Sequence, residues 1–443
     1  VSEGAAGADL RIARVVGREI LDSRGRPTVE ADVELANGIV GRSSVPSGAS
    51  TGAHEAVELR DGDPARYRGL GVRRAVANVI DIIGPAVRGL AADDQAVLDG
   101  RLIELDGTPT KARLGANAML AVSQAACRAA AAGRDVPLYR HIAHLCGTRP
   151  VVPLPMVNLI SGGLHAGRQI DFQDVLIIPT GAADFASAIA DAAAVHARLG
   201  EMVVDAGQQP LVADEGGWAP RLPGNREAVA WVAAAIADAG VEAGIGLDVA
   251  ASELFDPETG DYILAADRRR RTTAELVEDL RELTGSFPVI SVEDGLAEDD
   301  WTGWVELTGR IGAVQLIGDD LFATSRARLQ RGIDSGAANA ILVKPNQAGT
   351  LTEALDVIAV ARAAGYRTVV SARSGETEDS FLADLAVGSA AGQIKVGSVT
   401  RSERLAKWNQ LIRIEEELGP GAYLGAAALA SPLSSTGHVH NTD

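Results

Sequence analysis

Val289-Ile290-Ser291-Val292-Glu293 and Val314-Gln315-Leu316-Ile317-Gly318-Asp319 are short apolar runs, each ending in an acid and each followed by a helical segment. Ala340-Ile341-Leu342-Val343-Lys344, Arg367-Thr368-Val369-Val370-Ser371 and the shorter Gln393-Ile394-Lys395 continue the pattern. Their terminal polar residues lie 26, 25, 27 and 24 positions apart, about the length of one strand-plus-helix unit. Gly244-Ile245-Gly246-Leu247-Asp248 precedes them with the same texture. Repeated βα units of this length close into a barrel whose strand C-termini share one mouth. The spacing therefore predicts that Asp248, Glu293, Asp319, Lys344, Ser371 and Lys395 face one another.

Such a cluster needs partners or a metal, because charges taken out of water are costly alone. Asp248, Glu293 and Asp319 offer three hard oxygen ligands with no His or Cys nearby, a set that suits Mg²⁺. Lys344 would sit close to that ion and Lys395 across the mouth. Neighbouring positive charge lowers a lysine's pKa, so one of the pair can act as a base. The substrate class that follows is a carboxylate whose α-proton is removed while metal stabilises the enolate.

Upstream the texture differs. Ala13–Ile20 and the alternating Thr28–Leu35 read as strands, and a turn at Ala36-Asn37-Gly38 leads into Ile39–Arg42. The Gly- and Ser-rich loop from Val45 to Gly52 follows, and from Arg73 to Cys146 the apolar spacing is helical. The expected organisation is an α+β domain over residues 1–149, an α/β barrel over 150–430 and a tail over 431–443. With 443 residues, 47% of them hydrophobic but only 4% aromatic, the core must be built mainly from Ala, Leu, Val and Ile. The formal charge of −18 disfavours nucleic acid and anionic lipid. No long uncharged apolar run appears, and Val1-Ser2-Glu3-Gly4 does not open a basic-then-apolar leader, so a soluble, cytoplasmic protein is expected. Cys127 and Cys146 are too few for a disulfide framework and read as small apolar residues. Arg268–Arg271 reads as a solvated cluster in a polar turn, and His141, His144 and His196 carry no signal.

Several segments resemble the signature segments of enolase. These are Ile20-Leu21-Asp22-Ser23-Arg24-Gly25, Pro46-Ser47-Gly48-Ala49-Ser50-Thr51-Gly52, Asp214-Glu215-Gly216-Gly217, Asp248-Val249-Ala250-Ala251-Ser252-Glu253, Gly318-Asp319-Asp320-Leu321 and Arg373-Ser374-Gly375-Glu376. The match runs in order from about residue 11 to 425. The resemblance implies an N-terminal α+β domain with a mobile Ser-Gly-Ala-Ser-Thr loop, a (β/α)8-type barrel and a homodimer or larger assembly. It also implies two Mg²⁺ per site and a small phosphorylated carboxylate, 2-phosphoglycerate or phosphoenolpyruvate. By the same resemblance Asp248, Glu293 and Asp319 hold the first metal and Ser50 helps hold the second. Lys344 matches the base, Lys395 a contact to substrate carboxylate and metal, and Glu215 the general acid. Arg373 and Ser374 match a phosphate clamp, with Ser371 and Ala372 beside it. His165 and Gln173 match residues that close over the substrate.

The departures cluster. Asp174 stands where the family has Glu, one methylene shorter, and Ala372 stands where it has His. Ser161, Ala213, Gly295, Trp218 and Pro345 also differ from the pattern. Loss of the imidazole leaves metal, base and clamp intact and opens space at the leaving-group end, which suits a second, nucleotide-linked phosphonate substrate in a phosphonate or phosphinate biosynthetic pathway. A genuine phosphopyruvate hydratase and a non-catalytic binding descendant stay open at this point.

Overall fold

A computed structural model describes residues 9–48 and 52–430. Ser50, assigned above to the second metal, and His438 and His440 of the tail lie outside the described residues. The chain opens with β1 (Ile12–Leu21), β2 (Pro27–Leu35) and β3 (Val40–Ser44), an antiparallel sheet in sequence order. Strict alternation in β2 puts Val29, Ala31, Val33 and Leu35 on a buried face. The Ala-rich helix Ala116–Gly133 lies on that face. A Cβ on Gly41 of β3 would come within 2.1 Å of the Ala125 carbonyl, so close approach of sheet and helix requires glycine there.

The second unit is a closed eight-stranded barrel. Its strands are β4 (Leu154–Ser161), β5 (Asp174–Ile178) and β6 (Gly244–Asp248). A small outer sheet of β7 (Phe255–Asp256), β8 (Asp261–Leu264) and β9 (Arg269–Arg271) interrupts the series. The barrel resumes with β10 (Val289–Glu293), β11 (Gln315–Gly318), β12 (Ala340–Val343), β13 (Arg367–Ser371) and β14 (Gly392–Gly397). Around the closed ring the order is β10-β11-β12-β13-β14-β4-β5-β6. Parity fixes what faces where. In β12, Ile341 and Val343 join the outer core against the helices, while Ala340 and Leu342 join Leu154, Met156, Leu176 and Val369 inside the barrel. Among these apolar residues Gln315, Gln393 and Ser291 hydrogen-bond to one another inside the barrel. The charged groups lie toward the mouth, at the C-terminal ends of the strands.

The barrel departs from uniform βα repetition at β5, which pairs antiparallel with both β4 and β6. Only the short turn Gly163–Ala166 interrupts the link between β4 and β5, so no helix returns the chain to the floor and β5 starts at the mouth. From the foot of β5, the helix Phe185–Asp205 must climb and the helix Asn225–Ala239 must descend before β6 can rise. The stretch between those helices therefore passes the mouth, carrying Glu215.

The N-terminal unit is latched to the barrel. Buried Asp99 accepts hydrogen bonds from Gln95, from the Thr352 backbone N–H (2.8 Å) and from its hydroxyl (2.6 Å), at the start of the helix Leu351–Ala363. Ser123 Oγ accepts from Leu351 N (3.0 Å) in the same turn. The Arg269–Arg271 strand is paired with Asp279, Asp256 and Asp261, so acids meet that basic cluster at the surface. Cys127 is buried and Cys146 half-buried, and both are free thiols. No helix among the described residues is long and apolar enough to cross a membrane. Replacing Asp99 by Ala would orphan donors from both units, and denaturant unfolding should register a loss of about 2 kcal/mol.

Candidate active site

The acids predicted from spacing converge. Asp248 ends β6 and Glu293 ends β10, and each is about 1% exposed. Ile245 and Leu247 point outward, so parity turns Asp248 inward. In β10 a bulge between Val289 and Ser291 resets the alternation and sends Glu293 the same way. Asp319 follows β11, its backbone N–H donating to Asp294 Oδ1 (2.9 Å), while Asp320 N donates to Asp294 Oδ2 (2.8 Å). Asp294 thus aims the loop that carries Asp319, from a left-handed conformation (φ 43°) uncommon for a side-chain-bearing residue. It is an addition to the site that the spacing did not mark.

Both lysines meet these acids. Lys395 Nζ lies 2.7 Å from Asp248 Oδ2 and 2.7 Å from Glu293 Oε2, and Lys344 Nζ pairs with Asp319 Oδ2. Lys395 is not at a strand end as the pattern indicated, because β14 runs on to Gly397. The lysines were expected to depress one another. Burial does act downward on each, but Asp319 beside Lys344, and Asp248 and Glu293 beside Lys395, outweigh it and hold both ammonium groups above the usual lysine range. In this arrangement each lysine is a counter-ion.

Around them stand the residues assigned by resemblance. Gln173 Nε2 donates to Asp248 Oδ2 (3.0 Å). Asp174 opens β5, in register with Ser161 and Asp248, and Ser161 Oγ donates to its Oδ1 (3.0 Å) with Asn158 beside it. The shorter carboxylate is thereby drawn against β4. Its Oδ2 lies 3.7 Å from His165 Nδ1, a long ion-pair contact. His165, Asp174 and Glu215 bring their polar atoms within 4.8 Å of one another. Burial alone would lower His165, but Asp174 and Glu215 raise it to about 9. Burial raises Glu215, yet Arg404, His165 and Lys395 together hold it below the usual carboxylate range. Burial raises the Asp174 carboxyl as well, so His165 and Asp174 are both shifted toward their protonated forms.

Glu215 is held by its backbone: its carbonyl accepts from Ser398 N (2.9 Å), and the Gly216 carbonyl accepts from Thr400 Oγ1 (2.8 Å). On the other side Trp218 pairs with β4 and stacks on His196 at 4.6 Å, in a slot left by Gly200, where a Cβ would come within 2.7 Å of the indole. His196 Nε2–H donates to the Gly216 carbonyl at 3.3 Å, so a histidine that looked silent in sequence supports the acid loop.

Arg373 and Ser374 follow β13. Buried Arg404 donates to the carbonyls of Arg373 and Ser374, both at 2.7 Å, and Arg373 N donates to Glu376 Oε1 (3.1 Å). The Arg373 guanidinium forms a fork with Glu55, Nη1 to Oε2 at 2.8 Å and Nη2 to Oε1 at 3.2 Å. The N-terminal unit closes over this segment. Ser47 and Gly375 exchange backbone hydrogen bonds, and a Cβ on Gly375 would come within 2.4 Å of both Asp22 and Arg24. Ala372 lines the mouth beside Ser371, Lys344 and Lys395, and the enclosed space measures about 30 Å³, room for water rather than a substrate. The three barrel-mouth acids are the right donor set for a hard divalent cation. A further acidic group, Asp294, Asp319 and Asp320, lies beside them.

A barrel mouth with three inward acids, two lysines and an arginine clamp defines a barrel enzyme of the enolase superfamily. Family models agree: residues 12–142 match the enolase N-terminal domain and residues 149–431 match the enolase C-terminal TIM barrel domain. The chain belongs to the enolase family.

The His165 pair offers a test of these electrostatics. A free histidine titrates near 6.5, so stabilisation from the imidazolium is complete below that pH and is lost as pH rises through about 9. Between pH 6 and 10 the melting temperature of the protein should fall relative to that of His165→Gln. Parallel curves would remove the charge pair.

Proposed function

We propose that this enolase-superfamily enzyme acts on a 2-phosphoglycerate- or phosphoenolpyruvate-type substrate through C2 proton abstraction, as a specialised paralogue of phosphonate or phosphinate biosynthesis. Carboxyphosphonoenolpyruvate synthase, which joins a nucleotide-linked phosphonoformate to a three-carbon unit, is the closest activity. The observation that carries this reading is the division of the mouth. Asp248, Glu293, Asp319, Lys344, Lys395 and Arg373 are complete at the enolate and phosphate side, while Asp174 is withdrawn against Ser161 and position 372 carries only a methyl group.

Asp248, Glu293 and Asp319 would hold Mg²⁺, which when bound stabilises the developing enolate charge. A second Mg²⁺ rests on Ser50 by resemblance alone. Lys344 takes the C2 proton as the free amine, having released its own proton to solvent once Asp319 no longer pairs with it. Lys395, freed from Asp248 and Glu293 in the same way, orients the substrate carboxylate, and Gln173 steadies the site from the side. Arg373 and Ser374 receive the phosphate, the guanidinium through paired N–H groups suited to it. At the leaving-group end Glu215 is the residue assigned to help the 3-hydroxyl leave, with His165 beside it. The withdrawal of Asp174 and the methyl group at position 372 weaken that step.

A genuine phosphopyruvate hydratase is the reading to exclude. With 2-phosphoglycerate and Mg²⁺, ultraviolet absorbance should show phosphoenolpyruvate forming far below the rate of a housekeeping enolase, while solvent deuterium enters C2. A housekeeping rate would sink the specialised role. The double variant Ala372→His, Asp174→Glu should raise phosphoenolpyruvate formation by roughly 10²-fold, the scale of a restored acid–base group. Lys344→Ala should abolish deuterium incorporation with Mg²⁺ binding retained, and unchanged exchange would remove Lys344 as the base.

A further inference from the structure

Arg373 is braced at its backbone by Arg404 and Glu376, so its guanidinium reaches the mouth from a fixed base. The edge it presents meets Glu55, whose two oxygens accept from Nη1 and Nη2. Both residues are under one-tenth exposed. Glu55 Oε1 also accepts from Gln347 Nε2 (3.3 Å) and Gly52 N (3.0 Å), and Gln347 donates onward to Asp319 Oδ1 (3.0 Å). A carboxylate on a guanidinium fork has the planar, bidentate geometry with which the same fork takes a phosphate. The mouth encloses about 30 Å³, too little for a phosphate unless a side chain yields. Glu55 has somewhere to go. It lines a separate cavity of about 340 Å³ between the two units, bordered by His54 and by Lys111 and Arg326, which pair with Glu353 and Asp356. Its backbone is tied in place, Glu55 N donating to the Gly52 carbonyl (3.3 Å) and the next amide, Ala56 N, to the Gln347 carbonyl (2.9 Å), so any movement is confined to the side chain.

We propose that Glu55 is an internal anion that the phosphate of the ligand displaces from Arg373, and that this exchange makes the clamp select dianions over monoanions. The proposal rests on the reading of Arg373 as a phosphate clamp and adds to it a residue that sets its specificity. A monoanion such as acetate offers the guanidinium no more charge than Glu55 already supplies, whereas a phosphate dianion does. Displaced, the Glu55 side chain turns toward the cavity that holds His54 and Lys111.

Calorimetric titration of the Mg²⁺-saturated full chain with inorganic phosphate, at fixed ionic strength, tests the exchange. Glu55→Gln, which keeps the shape and removes the charge, should bind phosphate about tenfold more tightly, the value of one charge-assisted contact. It should also gain measurable affinity for acetate. Glu55→Asp, which keeps the charge but loses the reach to both Nη groups, should shift the same way by less. Phosphate affinity that is unchanged or weaker in Glu55→Gln and Glu55→Asp overturns the exchange and makes Glu55 a brace. Arg373→Gln separates the two levels of the argument. Loss of phosphate binding there, with Glu55→Gln unaltered, overturns the exchange alone, whereas binding that persists in Arg373→Gln overturns the clamp as well.

Discussion

Lys395 holds two buried carboxylates with one ammonium, 2.7 Å from each, and the upper layer of the barrel depends on that contact. Two acids at about 1% exposure would repel one another across the β6–β10 pair if nothing lay between them. Burying such charges costs more than most single contacts return, and the cost is tolerable only where every partner is present. The same rule organises the rest of the mouth. Lys344 answers Asp319 and Arg373 answers Glu55, so the cations of the mouth are already engaged with protein carboxylates. The barrel is thereby assembled around a set of ion pairs that can be exchanged for others of the same sign.

Much of this was legible in the chain because spacing and parity are local properties. A run such as Ala340–Val343 alternates between floor and outer core, and a residue just past it must come out at the mouth, as Lys344 does. What spacing could not show was direction. Nothing in Asp174–Ile178 distinguishes a rising strand from a descending one, and only the absence of a helix between β4 and β5 decides it. Lys395 was placed at the mouth correctly but for an incomplete reason, since its strand continues for two residues and parity rather than termination turns it inward.

The unmarked residues share a cause as well. Glu55, Gln347 and Asp294 act through partners far away in sequence, or through backbone amides that carry no residue signature. Glu55 sits four positions after Thr51 and Gln347 three after Lys344, so neighbourhood to a recognised segment was the one available cue. His196 was invisible for a different reason. Its role depends on Trp218 and Gly200 together, and a stacking slot made by a missing side chain has no pattern of its own.

The reversal at β5 also bears on how this barrel can change. The chain from β4 to β6 makes one excursion that carries His165, Gln173, Asp174 and Glu215, while Asp248, Glu293, Asp319 and both lysines arrive on β6 and the strands that follow it. Two parts of one mouth are thus written on separate stretches of sequence. The departures named above fall on both, Ser161, Asp174, Ala213 and Trp218 on the early stretch and Gly295, Pro345 and Ala372 on the later one. In such a barrel the strand that runs the wrong way adds an approach to the mouth that no strand end supplies, so Glu215 arrives on a connection between two helices.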